Sequence, residues 1–435
     1  MALGGGTFVT QNKTIPGSYI NFVSLAMANA TLSDRGIATM PLELDWGFEG
    51  DIFTVTNTDF QTNCLKIFGY AYDHEKMKGL RDLFKNAQTL FAYRLNGGGT
   101  KASNTFAEAK FGGLRGNDLK IAIQKNVDDS TLYDVKTVLG ESIVGIQTVK
   151  TASELVANDF VTWKSGITLA ENAGSPLTGG TNKTVDGSAH QTYLEKVEKY
   201  SFNTMGVVTN EDTIKTMYVN FCKRLREELG VKFQVVVYNK AGDHEGIINL
   251  KNKVTDSGVP EASLVYWVTG IQAGCPLNKS NTNKVYDGEF TVDVDYTQAA
   301  LIEAIKAGEY TLHQVGSDVR ILEDINSLVT TSDTKGESFK DNQTIRVIDQ
   351  NANDVAVLFS TKYIGEVPND EAGRTSLWAD IVKYYEQMQS IRAIENFSDE
   401  DVKVEVGNNK KSVVISTAIQ PVNAMTKLYM TVTVG

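Results

Sequence analysis

Histidine is the side chain most often recruited as a general base or metal ligand near neutral pH. The chain has four histidines, which are His74, His190, His244 and His313. None belongs to an H-E-x-x-H sequence, and no two are three or four residues apart, the spacing that places two ligands on one face of a helix. The G-x-S-x-G turn that presents a catalytic serine is also absent from the sequence. The sequence therefore predicts neither a helical zinc site nor a Ser-His-Asp triad.

Two acidic stretches and one glycine stretch have residue types that can bind cations or phosphate. Asp243-His244-Glu245 offers three ligands, but adjacent side chains of a loop do not converge, and we interpret it as a solvated turn. Asp293 and Asp295 would share one face of a strand, and an exposed strand edge is favoured there over a calcium or acid–base pair. Gly97-Gly98-Gly99 lacks the Gly-Lys-Ser/Thr that completes a phosphate loop, which favours a hinge between domains.

The cysteines are Cys64, Cys222 and Cys275. Their odd number and the absence of a C-x-x-C pair disfavour a disulfide framework and a zinc site. We interpret them as small buried apolar residues. We therefore expect no catalytic residue, no metal ligand and no cofactor.

The composition restricts the class of partner. There are 42 Lys and Arg against 53 Asp and Glu, a formal charge of −11, which disfavours binding to nucleic-acid phosphates. Hydrophobic residues make up 41% of the chain, enough for a sizeable core, but no apolar run reaches the roughly 18 residues that span a bilayer. The first ten residues have neither the basic region nor the apolar core of a secretory signal. We expect folding in the host cytoplasm, without nucleic acid or membrane insertion.

Apolar periodicity predicts an α/β protein with several domains. Apolar residues recur every three or four positions in five segments, which predicts helices at Glu75–Ala87, Glu211–Leu229, Ser263–Ala273, Thr297–Ala307 and Ala372–Ile394. Strands are predicted between them, at Ile20–Val23, Leu90–Leu95, Gly206–Val208, Phe233–Tyr238 and Tyr310–Arg320. Strands that alternate with helices indicate a mostly parallel sheet with helices on its faces.

Residues 111–187 have a different pattern. Polar and apolar residues alternate in four short runs separated by turn residues, at Asp118–Gln124, Tyr133–Leu139, Ile143–Val149 and Phe160–Trp163. Short alternating strands of this kind predict a small inserted β-sandwich.

Both ends of the chain are β-prone. The N-terminal patch is Thr7, Phe8, Val9 and Thr10, and the C-terminal stretch alternates strictly through Leu428, Tyr429, Met430, Thr431, Val432, Thr433 and Val434. An open strand edge promotes aggregation unless another chain pairs with it. Head-to-tail pairing that does not close produces helical filaments. From the pattern alone, pairing of both strands within their own domain is equally favoured.

Several sequence features resemble the contractile phage tail sheath family. Pro16-Gly17-Ser18-Tyr19 after a short arm resembles the family's PG-x-Y entry, and Arg35-Gly36-Ile37 through Asp45-Trp46-Gly47 is similar to the strand and turn that follow it. Gly116-Asn117-Asp118 and Leu177–Asn182 resemble the entry to and the exit from its β-sandwich insert, and Gly270–Ser280 its later helix and loop. The similarity spans nearly the whole chain and is greatest for the branch found in phages, defective prophages and bacteriocins of Gram-positive bacteria.

The resemblance implies a structural, non-enzymatic protein. It implies stacked hexameric rings around a tail tube, a sheath that contracts to drive the tube through the target envelope, and further contacts with baseplate and tail terminator proteins. It also implies a central α/β domain of subtilisin-like topology without catalytic function, an outer β-sandwich, and an α+β C-terminal domain that faces the tube and exchanges terminal strands. The particle would be a virion tail or a released phage-tail-like particle.

These expectations divide the chain into six parts. They are an N-terminal arm (1–20), an α/β segment (21–110), the β-sandwich insert (111–187), the central α/β domain (188–330), the tube-facing domain (331–424) and a C-terminal linker strand (425–435). The helix predicted at Ala372–Ile394 has two arginines and two aromatic residues on one flank, and we interpret Arg374, Trp378, Tyr385 and Arg392 as candidates for tube contact. The alternatives are a tube or baseplate protein and a hydrolase built on the α/β domain.

Overall fold

The computed structural model describes residues 32–434. The N-terminal patch at Thr7–Thr10 and the strand predicted at Ile20–Val23 lie outside these residues. The described chain forms two compact units, a larger one of residues 34–352 and 421–434 and a smaller one of residues 32–33 and 353–420. No helix within residues 32–434 is long and apolar enough to cross a lipid bilayer.

Between residue 32 and the insert, the structure has five α-helices and β-strands. They are β1 (Ile37–Leu42), β2 (Phe53–Thr56), α1 (Asn57–Phe68), α2 (Lys78–Phe84) and β3 (Thr89–Arg94). The helix α1 begins at a capping box between Thr56 and Asp59 and ends where Gly69 takes a φ of 77°. A 3-10 turn at Glu75–Met77 precedes α2, so the regular helix is shorter than the one predicted at Glu75–Ala87.

The insert contains six strands. They are β4 (Ala107–Ala109), β5 (Leu119–Lys125), β6 (Tyr133–Leu139), β7 (Ser142–Val149), β8 (Val161–Trp163) and β9 (Asn172–Pro176). Four of them form an antiparallel sheet in the order β7-β6-β5-β9, and β4 pairs with β8. Their inward side chains share one core, to which Trp46 is added from outside the insert. Because β4 belongs to this core, the insert begins before residue 111.

The two connections to the insert run side by side. The Lys183 backbone N–H donates to the Asn96 carbonyl at 3.2 Å, so the chain enters and leaves the insert at adjacent points. A Cβ at Gly99 would lie 1.9 Å from the Thr181 carbonyl oxygen, so a residue with a side chain does not fit there. The glycine run predicted to be a hinge therefore includes a position where two backbones pass in close contact.

The chain after the insert contains both helices and strands. Its elements are α3 (Gly187–Val197), β10 (Thr204–Gly206), α4 (Asp212–Arg224), β11 (Gln234–Tyr238), β12 (Ile247–Leu250), α5 (Val265–Gly274), α6 (Gln298–Lys306), β13 (Glu309–Tyr310), β14 (Leu312–Val315), β15 (Asp318–Ile321) and α7 (Asn342–Leu358). The single strand predicted at Tyr310–Arg320 is wrong: β14 and β15 form a hairpin around Gly316, whose φ of 60° suits glycine.

Strands from both sides of the insert form one seven-stranded sheet in the order β13-β12-β11-β10-β1-β3-β2. Neighbours are parallel except β2 and β3. Successive side chains of β11 face opposite layers: Val236 packs in the core that includes α2 and α5, whereas Val235 and Val237 pack in the core that includes α3 and α4. The predicted parallel sheet between helical layers is confirmed.

The smaller unit contains residues 353–358 of α7, then α8 (Glu371–Ser390), β16 (Ile394–Glu395), β17 (Val402–Val406) and β18 (Val413–Thr417), and β19 (Gln420–Pro421) begins at its end. Asp370 caps α8 by accepting from the Gly373 N–H at 2.8 Å. The pattern predicts an apolar stripe of five residues, of which Leu377, Ile381, Tyr384 and Met388 are buried. The fifth, Ile391, lies past the end of α8 and is 37% exposed. β17 and β18 form a hairpin around Asn408-Asn409, with Val404 opposite Ile415.

Residues 422–434 form neither helix nor strand. The strand predicted at Lys427–Val434 is therefore not formed in the isolated chain. A strand exists only where a neighbour supplies hydrogen bonds, and the described residues provide no such neighbour beside this segment.

Candidate assembly interface

The residues with catalytic potential have structural partners. His190, on α3, is buried and its Nδ1 lies 2.8 Å from the Tyr218 hydroxyl on α4. Burial lowers the pKa of His190 to about 4, because the imidazolium would lose its hydration. A neutral imidazole that ties two helices together is a packing group.

The Asp243-His244-Glu245 stretch is not the solvated turn that its sequence suggested. His244 and Glu245 are buried, and Glu245 lies 3.6 Å from Arg226 and 3.0 Å from Lys335. Burial alone would raise the pKa of Glu245, but His244 and Arg226 outweigh it, and the pKa lies below its ordinary value. Arg226 also donates two hydrogen bonds to Asp349 on α7, at 2.6 and 2.8 Å.

A second buried ion pair holds the first turns of α7. Arg346 lies 2.8 Å from Asp324, and both side chains are almost completely removed from water. Gln272 of α5 contacts both partners, accepting from Arg346 at 2.8 Å and donating to Asp324 at 2.7 Å. These charges are paired and hydrogen-bonded, as buried charges must be.

The chemistry of these groups supports structure. Within residues 32–434, no three His, Cys, Asp or Glu side chains are arranged to hold a metal ion. All three cysteines are buried and free of disulfide bonds, and burial raises the pKa of the Cys64 and Cys222 thiols to about 12. Such thiols are poor nucleophiles at neutral pH.

The C-terminal segment, residues 425–434, is an exposed apolar part of the larger unit. Its apolar side chains are exposed, with Leu428 at 85%, Tyr429 at 89% and Val434 at 90% of their full accessibility. A soluble domain rarely exposes a contiguous apolar stretch unless another surface covers it. The apolar face that this alternation predicts is therefore not covered by any other part of the described chain.

The hairpin of β17 and β18 is a two-stranded sheet in the smaller unit. Among the described residues these strands pair with each other and with no further strand, so each has an outer edge without ladder bonds. A groove of about 430 Å³ borders β18 at Val413. Its walls are mostly apolar and include Phe359, Tyr363, Ile364, Val367, Pro368 and Leu377. Three cationic side chains, Arg374, Lys410 and Lys411, also line it.

The four candidates for tube contact do not form one exposed flank. Tyr385 is 1% exposed and packs on Phe397 with ring centroids 5.1 Å apart, so its assignment to a docking surface is wrong. Trp378 is half-buried and donates its indole N–H to the Val402 carbonyl at 3.1 Å. The chain after the helix folds back over this flank, a long-range contact that periodicity does not detect.

The two arginines retain partial exposure. Arg374 donates to the backbone and side-chain oxygens of Asn369 at 3.2 Å. Arg392 is exposed and lies beyond the helix, because α8 ends at Ser390 rather than at Ile394 and Arg392 adopts a φ of 62°. The predicted surface is therefore reduced to Arg374, the edge of Trp378 and Arg392.

Two residues that contact the start of the C-terminal segment were not predicted from the sequence. Gln343 and Thr344, in the first turn of α7, hydrogen-bond to residues 422–424 where the C-terminal segment begins. A buried glutamine in a polar stretch has no motif, although a capping Asp341 three residues before Thr344 marks the helix start.

Four family models match consecutive parts of the chain. They are the "Tail sheath protein Gp18 domain III N-terminal region" at residues 35–95, the "Phage tail sheath protein beta-sandwich domain" at 96–182, the "Phage tail sheath protein central domain" at 183–327 and the "Phage tail sheath C-terminal domain" at 334–435. The chain is 34% identical over 470 residues to the Phage-like element PBSX protein XkdK of Bacillus subtilis (strain 168), with 100% of both chains covered.

Solved structures agree with these matches. The sheath tail protein from Desulfitobacterium hafniense is 35% identical, with a TM-score of 0.82 over 95% of this chain and 99% of that one. The sheath tail protein from Listeria innocua is 32% identical, with a TM-score of 0.78 over 89% and 92%. The anti-feeding prophage helical sheath in its contracted state has the same fold at 12% identity, with a TM-score of 0.56 over 97% and 99%.

The resemblance inferred from the sequence is thus confirmed, and both alternatives, a tube or baseplate protein and a hydrolase, are set aside. The matched models cover nearly all of the described chain, and the Bacillus subtilis relative is aligned along its full length. The chain belongs to the phage tail sheath family, and it is a structural tail sheath protein, not an enzyme.

Proposed function

We propose that this chain assembles into a sheath of stacked hexameric rings around a tail tube, and that contraction of the sheath drives the tube through the target envelope. The observation that carries the proposal is the exposed apolar segment 425–434, which has no partner strand among the described residues. A second copy of the chain would cover it. Assembly would begin in the host cytoplasm and end on a baseplate and a tail terminator protein.

The hairpin of β17 and β18 is the proposed acceptor for this segment. Its outer edges lack ladder bonds among the described residues, and strand addition would satisfy them. The alternation in the segment places Leu428, Met430 and Val432 on one face, which suits the apolar groove beside Val413. The N-terminal patch at Thr7–Thr10 is proposed to add a further strand from another neighbour.

The domain parts have proposed positions in the sheath. The smaller unit would face the tube, with Arg374, the edge of Trp378 and Arg392 as contact residues. The β-sandwich insert would face outwards, away from the tube. Subunits would move as rigid bodies during contraction, because a lattice with two arrangements needs interfaces that switch and arms that stay connected.

Deletion of Lys427–Gly435 tests strand exchange. We expect the truncated chain to remain soluble and folded, because residues 427–434 make no contribution to the buried core. We also expect it to lose polymerisation, since the donor strand is gone. Circular dichroism measures the fold, and negative-stain electron microscopy with sedimentation measures the polymer.

A matched pair of substitutions separates backbone pairing from side-chain packing. Thr431→Pro removes one N–H from the donor strand and should strongly reduce polymerisation, whereas Thr431→Ser keeps the N–H and should polymerise as the wild type does. Normal polysheath from the truncated chain, or equal behaviour of the two Thr431 variants, would count against strand exchange.

A further inference from the structure

The C-terminal segment leaves the larger unit beside the first turn of α7. Gln343 is 1% exposed and its carboxamide bonds in both directions. Its Nε2 donates to the Val422 carbonyl at 3.0 Å, and its Oε1 accepts from the Ala424 N–H at 2.9 Å. The Thr344 hydroxyl donates to Asn423 Oδ1 at 3.0 Å. Residues 422–424 are thus held by two adjacent side chains.

These hydrogen bonds fix the direction of the chain at residues 422–424 as well as its position. A carboxamide that donates to one residue and accepts from the residue two further on supplies the pair of bonds that a neighbouring strand would supply. The backbone around Asn423 is therefore held in a defined orientation. Both partners of each bond are needed, because a buried amide left without a partner is unfavourable.

Gln343 is itself rigidly placed. The Asp341 carboxylate accepts from the Thr344 N–H at 3.0 Å and caps the helix. Asn342 donates to Asp324 at 3.0 Å and to the Ile325 carbonyl at 2.9 Å. One turn later, Arg346 pairs with Asp324 in the buried ion pair described above. The turn that carries Gln343 is thus tied to the larger unit by buried polar contacts.

The exposure of the side chains changes abruptly after Val422. Val422 is partly buried, whereas every residue from Asn423 to Val434 is exposed. Met425 has complete exposure, at 101%. The hydrogen bonds from Gln343 therefore mark the last fixed point of the chain before the free segment.

We propose that Gln343 and Thr344 form a clamp that sets where, and in which direction, the C-terminal strand leaves its own subunit. This inference rests on the proposed strand exchange, because the clamp would position the donor strand for that exchange. Residues 425–434 reach at most about 33 Å beyond the clamp at about 3.3 Å per residue. Release of residues 422–424 would add about 10 Å of reach and remove the fixed direction.

The first test measures the clamp without assembly. Gln343→Ala should speed amide hydrogen exchange in the peptide that contains Val422 and Ala424, by tenfold or more. The matched control is Gln191→Ala, which removes an exposed glutamine on α3 that bonds to Glu195 at 3.0 Å and should leave this exchange unchanged. Gln343→Asn keeps the carboxamide on a shorter side chain. Its hydrogen exchange is measured instead if the alanine variant does not fold.

The second test uses polymer assembly with a shortened segment. Deletion of Met425 and Thr426 keeps the alternation of faces but withdraws the donor strand by about 7 Å. We expect this deletion to reduce polymer yield at least tenfold with the clamp intact. Adding Gln343→Ala should restore part of that yield, because the released chain supplies the missing reach. A residue that merely stabilises the fold would instead make the defect worse.

The outcomes separate the clamp from the exchange. Unchanged hydrogen exchange at Ala424 in both Gln343 variants, or a double variant that polymerises less well than the deletion alone, overturns the clamp and leaves strand exchange standing. Normal polymerisation after deletion of Lys427–Gly435 overturns strand exchange itself. Faster exchange together with restored yield supports both.

Discussion

Asp82 is a carboxyl group that the fold removes completely from water. Its oxygens accept from the Glu289 N–H at 2.9 and 3.1 Å and from the Tyr286 hydroxyl at 3.1 Å. Burial outweighs these bonds and raises the pKa of Asp82 to about 6, from an ordinary value of 3.8. The folded chain therefore takes up a proton at Asp82 more readily than the unfolded chain does.

Asp82 should consequently stabilise the protein in acid. Its contribution is fully present below about pH 4 and is lost as the pH rises through 6. We expect the unfolding free energy of the wild type to rise relative to that of Asp82→Asn, by on the order of 1–3 kcal/mol, as the pH falls from about 8 to about 4. Urea unfolding at a series of pH values measures the difference.

Asp73→Asn provides the control, because it removes the same charge from an exposed turn nearby. Its stability should follow that of the wild type across the series. If the unfolding free energy of Asp82→Asn also changes in parallel with that of the wild type between pH 8 and pH 4, the buried carboxyl does not titrate as described.

At the scale of elements, the helices differ in how well the sequence predicts them. The helix α8 was predicted because Leu377, Ile381, Tyr384 and Met388 repeat at helical spacing. In the structure these four side chains are buried. The helix α7 was not predicted, although Ile345, Ile348, Ala352 and Val355 also repeat at this spacing. Its inward positions include Arg346 and Asp349, which look like surface residues until Asp324 and Arg226 are known to face them.

The same limit explains the partial failure on the flank of α8. Tyr385 has the helical angle of a surface residue beside Arg374, but Phe397 covers it. That contact depends on how the chain turns after Ser390, and no local pattern records it. The sheet and the sandwich were predictable from local alternation, whereas the interface depends on long-range contacts.

The remaining part of this flank gives a prediction. Arg374→Glu combined with Arg392→Glu should leave the monomer folded, because neither side chain is part of the buried core. If the smaller unit faces the tube, assembly on purified tubes should fall by roughly tenfold or more, equivalent to about 1.4 kcal/mol. Electron microscopy of tubes mixed with the variant measures the fraction that is decorated.

Lys383→Glu is the matched control, since Lys383 is an exposed cation on the opposite side of α8 from Arg374. It should decorate tubes as the wild type does. Normal decoration by the double variant would reject these arginines as tube contacts.

At the scale of the whole molecule, the orientation of the insert in the sheath is testable. Gly140 lies in the turn between β6 and β7, has a φ of 62°, and has nothing near the position of an added Cβ. A hexahistidine tag inserted between Gly140 and Glu141 should permit folding and polymerisation. If the insert faces outwards, nickel-coated gold should label assembled sheaths, which electron microscopy detects.

The control tag belongs in the β17–β18 turn, between Asn408 and Asn409. If the smaller unit faces the tube, this tag should block assembly or remain unlabelled in assembled sheaths. Gold that labels both monomers but leaves sheaths tagged at Gly140 unlabelled would contradict the outward position of the insert.

The adjacent ends of the insert have an evolutionary consequence. Asn96 and Lys183 are joined by a backbone hydrogen bond. The insert is therefore a loop of the seven-stranded sheet domain whose two ends are held together. The entropy of closing a loop grows only slowly with its length, so the inserted domain can lengthen, shrink or be exchanged by recombination without displacing β3 or α3. Trp46, which packs into the core of the insert, would have to change with it. If the insert faces outwards as proposed, the outer surface of the sheath can therefore change in sequence independently of the α/β sheet that carries the insert.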